Sequence, residues 1–206
     1  MKDNQLPVTM DGTFTKALAK KAPEEGTQPE GTLPAPQGIG MAVAFDWGLA
    51  VQILVMPVVA IFLGQPSFLK PLKLGAALTT TLSIALSLPF FALLAIFGEG
   101  IRRGWKWARP VQIVCNTLGF IGGLFTLPSL WQSGRAGNYW PLVTSVILVI
   151  FSPLIAWRMS RRATRIWFAK VTGTAARKRH GGLWPVWIAI WAIVGGVLQA
   201  IAASAR

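Results

Sequence analysis

From Leu74 to Phe97 the chain carries no charged side chain, and four more segments are built on the same plan: Met41–Gly64, Val111–Leu130, Leu142–Trp157 and Leu183–Ala203. A helix crosses the hydrocarbon core of a bilayer with about 20 apolar residues, with a working range of roughly 17–25. Four of the segments meet that length, and the fourth, Leu142–Trp157, reaches it if its helix continues into the Arg-rich stretch that follows, where long side chains can snorkel. A re-entrant fourth segment, leaving four spans, is the alternative. Hydrophobic residues make up 53% of the 206 and charged residues only 13%, about half the charged share of a soluble domain. In water these runs would expose more apolar surface than so short a chain can hide. The expected fold is therefore an all-α integral membrane protein, a bundle of about five transmembrane helices over residues 41–206 behind an N-terminal tail.

The tail, residues 1–40, is punctuated by Pro7, Pro23, Pro29, Pro34 and Pro36 and by five glycines, a composition that reads as disordered. Being polar, it is not a secretory signal. Prolines recur where spans begin, at Pro71, Pro110, Pro141 and Pro185. The first helical turn tolerates proline because its missing N–H would lack an intrahelical partner there anyway. Trp105, Trp107, Tyr139, Trp140, Trp184 and Trp187 flank the same boundaries, with Trp157 and Trp167 around the end of the fourth span. That is where an aromatic belt belongs.

The net charge of +13 has two readings. Nucleic acid would need a basic domain to lie along a phosphate backbone, and the cations here flank apolar spans instead, so no nucleic-acid partner is expected. With five spans the tail, the second connection and the fourth connection share one side. That side holds sixteen Lys and Arg residues, against Lys70, Lys73, Arg135 and Arg206 on the other. The positive-inside rule then puts the N-terminus in the cytoplasm and the C-terminus outside, in a plasma (inner) membrane. Leaving out the Leu142 segment would separate the two basic connections, so the charge distribution favours five spans.

Half of that excess sits in one interfacial segment, residues 158–180. Arg158, Arg161, Arg162 and Arg165 fall at helical spacing as one basic stripe, and Lys170, Arg177, Lys178 and Arg179 follow. A helix leaving the bilayer along its surface would place these cations at the headgroups, each contributing roughly 1 kcal/mol near anionic lipid. The plainer alternative is a topology signal that holds no particular lipid.

Inside the spans, ionisable groups usually mark a transport route or proton relay. Asp46, early in the first span, is expected to snorkel to the interface, and Glu99 lies at the far end of the second. Gln52, Gln112, Asn116 and Thr80 remain as a possible polar path, with interhelical hydrogen bonding as the alternative role. Gln112 and Asn116 share a helix face, continued by Gly119 and Gly123 as a GxxxG groove; Ala192, Gly196 and Ala200 repeat the small-residue theme in the last span. Such faces let backbones approach closely, within one chain or between partners. Pro57 and Pro89 lie far enough inside their spans to act as hinges.

Catalytic motifs are missing. One cysteine (Cys115) and one histidine (His180) exclude a Cys/His metal cluster and an intramolecular disulfide, and there is neither a Walker loop nor a paired-carboxylate constellation. His180, beside two glycines, reads as an interfacial loop residue. No cofactor or metal is expected.

Gly104-Trp105-Lys106-Trp107-Ala108-Arg109 before the third span and Arg162-Ala163-Thr164-Arg165-Ile166-Trp167-Phe168 after the fourth resemble elements of small bacterial multi-span membrane proteins of unassigned function. The likeness covers about Glu99–Phe168 and implies no activity; the fifth span and long tail depart from the common four-span form. The functional expectation is a non-enzymatic accessory or scaffold subunit, acting by helix packing and anionic-lipid contact with other membrane proteins or itself. A small transporter or channel is the alternative.

Overall fold

The structure, a computed structural model, describes Leu33, residues 36–62 and residues 75–204. The expected disordered tail lies largely outside the described residues. Among those described there are helices and no strands: α1 (Ile39–Phe62), α2 (Ala76–Arg102), α3 (Ala108–Arg135), α4 (Pro141–Ser160), α5 (Arg162–Lys170), α6 (Gly173–Arg179) and α7 (Trp184–Ser204). Five of them, α1, α2, α3, α4 and α7, are long and apolar enough to cross a membrane. The chain is an all-α, multi-pass membrane protein.

The fourth apolar segment is a full-length helix of 20 residues, about 30 Å at 1.5 Å per residue, so length gives no reason to read it as re-entrant. It contains a π-helical turn, Ile147–Phe151, that ends two residues before Pro153. Proline cannot donate to the carbonyl four residues back, and its ring crowds that carbonyl. The wider turn accommodates both, with the Ser152 N–H bonding to the Ile147 carbonyl.

Helix ends run past the apolar limits where local chemistry favours it. α2 continues to Arg102 because Glu99 pairs with Arg102 and Arg103 at 2.5 and 2.6 Å, an acid-before-base spacing that supports the last turn. Gly104 then stops it in the left-handed region at φ +74°. The Gly104 N–H bonds to the Ile101 carbonyl and the Trp105 N–H to the Gly100 carbonyl, the paired bonds of a Schellman ending. A Cβ on Gly104 would also stand 2.5 Å from Val171, so this turn needs glycine twice over.

Hydrogen bonds gather five helix termini at one end. Arg158 donates to the side chain of Gln37 (3.3 Å), Arg102 to the His180 carbonyl (2.9 Å) and Arg109 to the Met159 carbonyl (2.8 Å). The start of α1, the end of α2, the start of α3, the end of α4 and the α5–α6 segment therefore share one face, as five spans require. The buried core sits there too, in Ile39, Val43, Ile101, Ile155, Met159, Trp167 and Phe168. Within the membrane α1 packs against α2 and α7, and α3 against α4.

Candidate functional site

Two features stand out: a basic cap over the shared end, and a polar cluster buried just beneath it.

The cap departs from the single stripe expected of residues 158–165. The helix breaks at Arg161, whose ψ of 145° is extended, so Arg158 belongs to the last turn of α4 while Arg162 and Arg165 belong to α5. Thr164 explains the break: its hydroxyl bonds to the Arg158 carbonyl at 3.0 Å, satisfying a helix-end acceptor that would otherwise continue the helix. α5 and α6 then fold over the bundle. Thr164, Trp167, Phe168 and Ala176 face inward, and Arg161, Arg162, Arg165, Lys170, Arg177, Lys178 and Arg179 are exposed. Arg158 is only half-buried and Arg161 stacks over Trp157 at 4.0 Å.

Two residues read as interfacial turn out to be internal. Trp167 is 1% exposed and belongs to the cap's core, unlike the exposed Trp107, Trp140, Trp157 and Trp187, which suit a belt. His180 is buried between Trp167 and Trp184, ring centroids 5.6 and 4.8 Å away. Burial holds its pKa below the ordinary histidine value, and the nearby Arg179 and Arg102 charges push the same way.

Beneath the cap, Asp46 does not snorkel. It is 3% exposed, and its Oδ1 accepts from Gln112 Nε2 at 2.9 Å. Asn116 lies one turn further along α3, with its amide donating to the Gln112 backbone carbonyl at 2.9 Å. The Asp46–Gln112 bond links the α1 group of helices to the α3–α4 pair. Trp47, next in sequence, donates to the Ala95 carbonyl at 3.3 Å, which helps fix the rotation of α1 against α2. Of the four polar-path residues, the structure thus brings Gln112 and Asn116 together. Gln52 is half-buried near the middle of α1, and Thr80, also half-buried, lies toward the opposite end of α2.

The small-residue faces are used inside the chain. A Cβ on Gly123 would stand 2.6 Å from Leu148 Cβ, and one on Gly119 3.5 Å from Ser152 Oγ, so α3 receives the π turn of α4. A Cβ on Gly196 would stand 2.5 Å from the Gly48 carbonyl, with Ala192 and Ala200 buried on the same face against α1.

Sequence reasoning missed Asp46 as a buried group. The signal was its depth: Asp46, Gln112 and Asn116 lie seven, four and eight residues inside helices that start at the same end, at about 6–12 Å along the helix axis. No family model matches the chain, and comparison with curated proteins and solved structures found no match to it.

Proposed function

We propose that this protein is a non-enzymatic membrane scaffold or accessory subunit that works through a rigid basic cap against anionic lipid and neighbouring membrane proteins. The observation that carries this reading is the construction of the cap. Seven exposed cations are mounted on two short helices and the Arg161 break before them, packed inward through Trp167 and Phe168 against a core that includes Met159. A flexible basic loop would suffice for topology alone, whereas a folded platform presents its charges in a fixed pattern. At roughly 1 kcal/mol per cation near an anionic surface, such a platform would hold acidic headgroups firmly. We place the cap in the cytoplasm and the protein in a plasma (inner) membrane, from the bias in Lys and Arg.

Protein reconstituted in a mixture of zwitterionic and anionic lipids, then re-extracted gently, tests the reading. Native mass spectrometry is expected to find anionic lipid enriched on the wild type and lost when Arg162, Arg165, Arg177, Lys178 and Arg179 are changed to Gln. Equal retention of both lipid classes, or a strict monomer with no co-purifying membrane protein, counts against it.

A second reading, a small transporter or channel, draws support from Asp46, because a carboxylate buried in a span is costly unless used. Flux across liposomes that depends on Asp46 would favour it.

A further inference from the structure

We propose that Asp46, Gln112 and Asn116 form a binding site for an alkali-metal cation at the seam between α1 and α3. Three buried oxygens motivate this: Asp46 Oδ2, Gln112 Oε1 and Asn116 Oδ1 each lack a hydrogen-bond partner. Their side chains are 3%, 1% and 2% exposed. Buried polar atoms are almost always satisfied, and three orphans in one linked cluster form a pattern rather than an accident of one rotamer.

With Asp46 ionised all three atoms are acceptors, so what they lack is a donor or a cation, and charge decides between the two. Each amide nitrogen already donates one bond, Gln112 Nε2 to Asp46 Oδ1 and Asn116 Nδ2 to the Gln112 carbonyl. Flipping either amide would give up its bond, and for Gln112 would set oxygen against carboxylate oxygen. The Gln112 bond to Asp46 joins the two groups that carry free oxygens, each on the same carboxyl or amide carbon as a bonded atom, and Asn116 follows one turn away on the same face.

Charge selects the ligand. Among the described residues the ion pairs are those of Glu99 with Arg102 and Arg103, and Arg109, in the first turn of α3, is engaged with the Met159 carbonyl. Asp46 therefore has no cation from these residues to balance it in a region where an unpaired charge is strongly disfavoured. A monovalent ion neutralises it; a divalent ion would leave a buried positive charge. Carboxylate and amide oxygens are hard donors suited to alkali ions rather than to soft transition metals. Because the site joins two groups of helices, an ion there would fasten them together under the cap.

The test uses the full-length protein in zwitterionic-lipid nanodiscs, melted at fixed ionic strength in NaCl, KCl or choline chloride, at each of several pH values. Screening of surface charge is common to the three salts, so a difference between them reports a site. Wild type is expected to show a saturable rise in Tm with Na+ or K+ that Asp46→Asn abolishes. Asn116→Ala, which removes one oxygen without altering charge, is expected to raise the half-saturating concentration about tenfold, and it keeps the test open if Asp46→Asn fails to fold. Identical melting in all three salts overturns the proposal, as does a cation effect that survives Asp46→Asn. Stabilisation by lowered pH alone, without a difference between salts, would assign the pair a shared proton and also overturn it. Lipid retention plays no part in these readouts, so failure here is separate from failure of the scaffold reading.

Discussion

The capped end and the membrane-depth interior of this protein are packed by different rules. At the cap large side chains are fully buried, Trp167, Ile39, Ile101, Ile155 and Met159, alongside small ones such as Ala108 and Ala176. Deeper in the bundle the buried residues are almost all small, among them Ala50, Ser83, Ser87, Ala192, Ala200 and Ala202, with Gly123 and Gly196. Large apolar side chains such as Phe125, Leu118 and Trp191 face outward there. The solvent explains the contrast. Near water, burying a large apolar side chain is favourable by about 1.5–3 kcal/mol, so the cap sequesters its tryptophan. In lipid that drive vanishes, and helices gain most from close backbone approach through small residues.

Four measurements would break or sharpen this contrast. Trp167→Ala should produce the largest loss, about 3–5 kcal/mol, while the lipid-facing Trp191→Ala should cost under about 1 kcal/mol; equal effects in reversible unfolding would erase the distinction. Gly196→Ala comes next. Its new methyl would meet the Gly48 carbonyl, and overpacking of this kind costs about 1–3 kcal/mol. Gly195→Ala, which has open space around it, should be neutral or stabilising; a Tm that falls equally for both would show that α1 and α7 are not closely packed.

His180 gives a smaller, pH-dependent effect. Its folded pKa lies below the unfolded value of 6.5, so the unfolded chain takes up the proton more readily. Stability should therefore fall as pH drops through about 6.5 and level off below the folded pKa. Hydrogen exchange at α5 and α6 should show this loosening in wild type, and His180→Gln should remove the step. The smallest effect is expected from Arg177→Gln or Lys178→Gln, under about 0.5 kcal/mol on folding. Such exposed charges matter to the surface they face rather than to the core beneath.

How much of this was legible in the sequence follows the same division. Uninterrupted apolar runs and flanking cations announce spans, because hydrocarbon imposes one rule on every exposed residue, and α1, α2, α3, α4 and α7 start and stop near the expected limits. The GxxxG face at Gly119 and Gly123 was legible too, although only the folded structure shows α4 filling it. The cap was not. Arg158 to Arg165 has the spacing of one helix, and the break at Arg161 depends on Thr164 bonding back to the Arg158 carbonyl, a choice made by tertiary packing. Asp46 was misread for a related reason: its partner is 66 positions away in the chain, and one-dimensional spacing carries no record of that bond.

The π turn of α4 has a bearing on tolerance to deletion. Removing one residue from an ordinary α-helix rotates everything beyond it by about 100°, which here would swing Ile155 and Met159 away from the cap. Between Ile147 and Phe151 the helix already carries one residue in excess of regular winding. A loss at that point can be absorbed by tightening the turn, leaving the downstream face aimed where it was. Of all positions in this span, that short stretch is where natural length variation would do least harm.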